Sequence, residues 1–115
     1  MRGTITEKEE PLRTGVMMRL YEVIWKEAFV DKLESKHRVM PEEVEDVLFS
    51  RPHIRRAERG HVQGEDLYVA YGQTAAGRYL VVFFILKYQT AALPISAREM
   101  TPAERRYYAQ QRQAR

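Results

Sequence analysis

The side chains able to do chemistry in this sequence are arginines, histidines, tyrosines and glutamates. Cysteine is absent, and His37, His53 and His61 are not spaced as a helical pair of metal ligands. No His-Glu-x-x-His, no Gly-x-Ser-x-Gly nucleophile elbow and no phosphate-cradling glycine loop occurs. These absences remove the common hydrolase and nucleotide-binding readings and predict a chain that uses neither metal nor cofactor. The remaining set suits cleavage of RNA. There the 2′-OH beside the scissile phosphate is itself a nucleophile, so the protein need supply only a proton acceptor, a proton donor and cations for the phosphorane. Arginine fits the last role because its planar fork binds two phosphate oxygens. Arg78 and Arg98 fall at predicted strand ends, where a rigid sheet can hold them, and are the candidate catalytic cations. His37, one turn after Leu33 on an apolar helix face, is the candidate general acid or base, although a histidine so placed is more often structural. Arg55 and Arg56 are neighbours on one strand and point to opposite faces, so at most one lines a given site. With Arg105 and Arg106 of the last helix they are the candidates for holding an RNA backbone.

The elements that must position these residues can be read from the patterning. Residues 1–16 are polar, mixed in charge and without apolar period, and predict a flexible tail ahead of a single domain over 17–115. Arg19 to Trp25 is rich in β-branched and aromatic residues and predicts a strand. Lys26 to Lys36 predicts a helix with Phe29, Val30 and Leu33 on one face. A second helix starts at Pro41, with Glu42, Glu43 and Glu45 near its positive end and Val44, Val47 and Leu48 as its apolar stripe. Four strands follow: His53 to Glu58, Leu67 to Tyr71, Arg78 to Lys87 and Thr90 to Ile95. Thr74-Ala75-Ala76-Gly77 is a hairpin turn, and the run from Arg78 to Lys87 is apolar on both faces, which assigns it to the sheet centre. Thr101 as N-cap, Pro102 at the first position and Glu104 closing a capping box write out the start of the last helix. The order predicts an α+β fold: a mostly antiparallel sheet with two N-terminal helices and one C-terminal helix.

At 115 residues the chain is long enough for one compact domain with a core of its own. Its longest apolar run, Tyr79 to Leu86, is far short of the ~20 residues of a spanning helix, and no signal peptide is visible. The expected location is the cytoplasm, with no membrane partner. The net charge of +3 is confined to residues 98–115, which hold five arginines and two glutamates. Such a segment at the end of an otherwise neutral domain points to an anionic partner, nucleic acid first.

The block Ile95-Ser96-Ala97-Arg98 through Thr101-Pro102-Ala103-Glu104-Arg105-Arg106-Tyr107 resembles the ending of BrnT-type toxins, ribonuclease toxins of bacterial type II toxin–antitoxin systems with a RelE-like fold. Lys36-His37-Arg38-Val39, Pro41-Glu42-Glu43-Val44, Gly64-Glu65-Asp66-Leu67-Tyr68 and Gly77-Arg78 are similar to further motifs of that family, in its order. The resemblance spans about residues 19–110. Three positions depart from it: Arg38 stands where the family has Gly, and Gln73 and Glu99 stand where many members have basic residues. The resemblance implies a metal-independent endoribonuclease cutting mRNA and an antitoxin partner of ribbon-helix-helix type, and leaves a homodimer open. The alternative is a non-catalytic RNA- or protein-binding module of the same fold.

Overall fold

A computed structural model describes residues 17–58, 60 and 65–113. The expected tail, His61 and most of the loop around it therefore lie outside the described residues. The chain runs β1 (Glu22–Val23), α1 (Glu27–Lys32), a π-helical turn (Leu33–His37), α2 (Pro41–Phe49), β2 (His53–Glu58), β3 (Leu67–Gln73), β4 (Tyr79–Lys87), β5 (Ala91–Glu99) and α3 (Pro102–Gln113). The strands form one sheet in the order β1-β5-β4-β3-β2, with the doubly apolar β4 in the middle.

The fold is α+β, but two features of the expected architecture need correction. First, the sheet is mixed rather than mostly antiparallel. β1 joins β5 in parallel, Glu22 opposite Ala91 and Val23 opposite Ala92, while the other pairings are antiparallel. Only two residues of the expected Arg19–Trp25 strand pair, because the chain must leave the sheet to start α1. Second, the first helix does not run as one α-helix to Lys36. After Lys32 it widens into a π turn, and Arg38 closes it at φ 53° and ψ 41°. This is the left-handed conformation that glycine adopts most readily, so Arg38 takes up at this turn a geometry that its side chain makes costly.

The main core lies between the N-terminal helices and one sheet face. Leu33, Val39, Val44, Val47 and Leu48 meet Ala70, Leu80, Val82, Phe84, Ala92 and Ala97 there. α2 comes so close to β3 that a side chain at Gly72 would meet Val47 Cγ1 at 3.0 Å. On the other face a smaller cluster of Val69, Tyr71, Val81, Met100 and Tyr108 sits under α3. A single helix of 12 residues covers that face only in part, leaving Arg55, Phe83, Ser96 and Arg98 half-buried on it.

Two irregularities in the strands set which residues reach the open face. β2 shifts register between Arg56 and Glu58, and β5 carries an extra residue, Ile95, between Pro94 opposite Phe84 and Ser96 opposite Phe83. Such bulges re-aim the side chains beyond them. At the β3–β4 hairpin Gly77 takes φ 94°, and the Thr74 hydroxyl accepts the Arg78 N–H at 3.0 Å. Among the described residues no helix is long and apolar enough to cross a membrane.

Candidate active site

Strand register assembles two adjoining rows of side chains on the open face. His53 lies opposite Tyr71, Tyr71 opposite Val81, and Val81 opposite Arg98. One step along, Arg55, Val69, Phe83 and Ser96 form the second row. The two-residue period of each strand keeps both rows on one face, and α3 spans the first row, with Tyr107 at His53, Glu104 at Arg98 and the buried Tyr71 and Val81 between.

His53 is buried, and its Nε2 makes a 2.8 Å hydrogen bond with the Tyr107 hydroxyl, which donates or accepts according to the imidazole tautomer. Tyr107 also packs on Tyr71 at 5.0 Å between ring centroids, and His53 lies 5.9 Å from Tyr71. Arg55 donates from Nε to the Tyr71 hydroxyl at 3.2 Å. Histidine, two phenols and an arginine thus share one contact network centred on Tyr71.

Arg98 stands at the other end of the first row, its guanidinium 5.7 Å from the Phe83 ring centroid. Both of its terminal nitrogens donate to Glu104, at 2.8 and 3.0 Å. Glu104 is also the third residue of α3, where Oε1 accepts the Thr101 N–H at 2.8 Å and the Thr101 hydroxyl accepts the Glu104 N–H at 3.1 Å. The expected capping box is therefore present, and its carboxylate is shared with the arginine. The hydrogen bond from Arg98, helped by Thr101 and opposed by burial, holds the Glu104 carboxyl below the usual glutamate range. The bond to Glu104 in turn raises Arg98, against some desolvation, and the Tyr71 phenol adds to the rise.

Of the catalytic candidates His37, Arg78 and Arg98, only Arg98 belongs to the two rows. Arg78 is a clamp on the helix-covered side. It donates to Glu43 of α2 at 2.8 Å, to the Arg38 carbonyl at 3.0 Å and to Glu99 of β5 at 3.1 Å. Desolvation works against its charge, but the bonds to Glu43 and Glu99 outweigh it and raise its pKa. Glu99 follows Arg98 in sequence yet points to the opposite face, so the acid on Arg98 is Glu104 and not its neighbour. His37 ends the π turn, whose Leu33 is buried in the core on that same helix-covered side. The Arg55–Arg56 pair splits as its alternation requires: Arg55 joins the open face, and Arg56 sits on the other, 3.3 Å from Asp66. Arg105 sets its guanidinium carbon 4.1 Å from the Tyr79 ring centroid. With Arg106, Tyr108, Arg112 and Gln73 they line a groove of about 480 Å³ beside α3.

Sequence reasoning gives His53 little weight and does not single out Tyr71 or Glu104 for the site. The motif Leu67-Tyr68-Val69-Ala70-Tyr71 carries the signal for Tyr71 only once the register to β2 is known. Among the described residues no three His, Asp or Glu side chains are grouped as a metal site.

The model of a family described as the ribonuclease toxin, BrnT, of type II toxin–antitoxin systems matches residues 25–104. That span includes every residue of the two rows and Glu104, and stops before Tyr107. A search of curated proteins gives no match. Among solved structures, the crystal structure of the Brucella abortus ribonuclease toxin BrnT superposes with a TM-score of 0.52 at 18% identity, covering 74% of this chain and 99% of that one.

Proposed function

We propose, from the premise that this chain belongs to the BrnT family of ribonuclease toxins of type II toxin–antitoxin systems, that its open sheet face is a metal-independent endoribonuclease site. The observation that carries this reading is the convergence of His53, Arg55, Tyr71, Arg98 and Tyr107 on the sheet face that α3 covers only in part.

The scissile phosphate approaches over the second row, above Phe83 and Ser96, between Arg98 and Arg55, the row residues that are not fully buried. The 2′-hydroxyl loses its proton to the His53–Tyr107 pair as its oxygen bonds to phosphorus, and the P–O5′ bond breaks as a proton reaches the leaving oxygen from the Tyr71 hydroxyl. The products are a 2′,3′-cyclic phosphate and a 5′-hydroxyl. Arg98 and Arg55 stabilise the charge on the pentavalent intermediate, and Phe83 and Ser96 form the floor. His53 here takes the role expected of His37, and Arg55 the second-cation role expected of Arg78. Arg105 and Arg106 then bind RNA away from the cleaved bond. The substrate is mRNA, the setting the cytoplasm, and the partner an antitoxin of ribbon-helix-helix type.

The test is cleavage of a single-stranded RNA by purified protein in a chelating buffer. Wild type should cut, and Arg98→Ala should lose about 10²- to 10³-fold in kcat, the range for removal of one preorganised charge-stabilising group. Equal cleavage by both would sink the mechanism. One observation favours the alternative, a binding module without catalysis: Glu104 already fills the fork of Arg98. Salt-dependent RNA binding with no cleavage in any variant would establish it.

A further inference from the structure

The arginine best placed for a phosphate is not bare. Glu104 offers Arg98 two oxygens in one plane, as a phosphodiester would, and both are taken. The same N–H edges cannot serve carboxylate and phosphate at once. Glu104 has a second anchor in the Thr101 N–H, which keeps it on α3 whether or not it holds Arg98. The pair is also accessible: side-chain exposures are 37% for Arg98 and 23% for Glu104. At such exposure water screens an ion pair and makes its exchange for another anion cheap.

We infer that Glu104 is a built-in competitor of the substrate phosphate, a latch that RNA must displace from Arg98. Glu104 is a positioning residue in this scheme. On binding, a phosphodiester takes the Arg98 fork, and Glu104 swings away while Oε1 stays on the helix cap. After cleavage it returns and helps expel the product. The capping box thus does two jobs, fixing the start of α3 and holding the site closed to weak anions. This inference rests on the open face being the RNA site.

The experiment uses a short all-2′-deoxy oligonucleotide, which lacks the nucleophile and cannot be cut, with binding followed by fluorescence anisotropy at constant salt. The proteins are wild type, Arg98→Ala, Glu104→Gln and the double variant. In Glu104→Gln the side-chain amide carbonyl still accepts the Thr101 N–H, so the helix cap survives while the competing charge is gone. Glu104→Gln should bind about tenfold more tightly, Arg98→Ala more weakly, and the double variant no better than Arg98→Ala. Glu104→Asp, which keeps the charge but is too short to span the fork, should also bind more tightly and serves in place of Glu104→Gln should that variant not fold. If Arg98→Ala weakens binding while neither Glu104 variant tightens it, the latch is overturned and the RNA site stands. If the gain from Glu104→Gln persists without Arg98, it reflects net charge alone and again overturns the latch. If Arg98→Ala binds as wild type does, the open face is not the RNA site and both readings fall.

Discussion

Replacing Arg78 by alanine tests whether this arginine serves structure or catalysis, and is the most decisive perturbation. Its guanidinium joins three parts of the chain: α2 through Glu43, the left-handed turn through the Arg38 carbonyl, and β5 through Glu99. The Glu99 pair is two-thirds exposed on its acidic side, so it contributes at the low end of the 0.2–1 kcal/mol measured for surface pairs, about 0.3 kcal/mol. The Glu43 pair is better shielded, at 31% and 21% exposure, and contributes about 1 kcal/mol. The bond to the Arg38 carbonyl adds about 1 kcal/mol. The expected loss is therefore about 2 kcal/mol, which for a domain of this size lowers Tm by roughly 10 °C. Urea titration followed by circular dichroism measures it directly. Cleavage per folded molecule, measured well below the lowered Tm, should stay within about twofold of wild type because Arg78 faces away from the rows. A hundredfold fall in kcat with an unchanged melting curve would refute the assignment and return Arg78 to the catalytic group.

Two further outcomes follow from the site. Tyr107→Phe keeps the ring packed at a tilt against Tyr71 but removes the hydroxyl bonded to His53; kcat should fall about 10²-fold if that pair moves the proton, and stability by about 1 kcal/mol. A kcat unchanged from wild type would remove Tyr107 from the relay. Glu104 supplies the pH dependence. Its folded pKa is depressed, so its stabilising effect is complete above the ordinary glutamate value of about 4.3 and is lost as pH falls through the lower folded value. Wild type should therefore exceed Glu104→Gln in urea stability at neutral pH, with the gap closing below about pH 4; a constant gap would show that the charge plays no part.

Much of this architecture is legible in the residues. The capped start of α3, the central apolar β4 and the hairpin at Gly77 depend on local chemistry, and each has its place in the structure. The local reading ends the last strand at Ile95, whereas β5 continues past the bulge to Glu99 and carries Arg98 within the ladder. What local reading does not supply is which side chains meet across strands. His53 and Tyr71 become neighbours through register, across a loop whose length says nothing of their pairing. Alternation does predict that Arg98 and Glu99 diverge, yet the acid that matters, Glu104, reaches Arg98 only because α3 folds back over the sheet. Arg78 reads as catalytic because a strand-end arginine has the right reach, and its three partners lie on segments far apart in sequence. The early end of α1 has no clear local mark, since π and α turns share the same apolar period over so few residues.

The extra residue in β5 governs more than local shape. Along residues 91–94 the even-numbered side chains, Ala92 and Pro94, belong to the helix-covered face; beyond Ile95 the odd-numbered Ala97 does, and the even-numbered Ser96 and Arg98 face outward. The strand thus changes parity once. An uninterrupted alternation counted from Pro94 would send Arg98 into the apolar core and leave Ala97 outside. The polarity of the part of that face that β5 supplies therefore hangs on a single residue of no chemical function. Among related chains the count of residues between the apolar start of this strand and its arginine is then as strong a constraint on the site as the arginine itself.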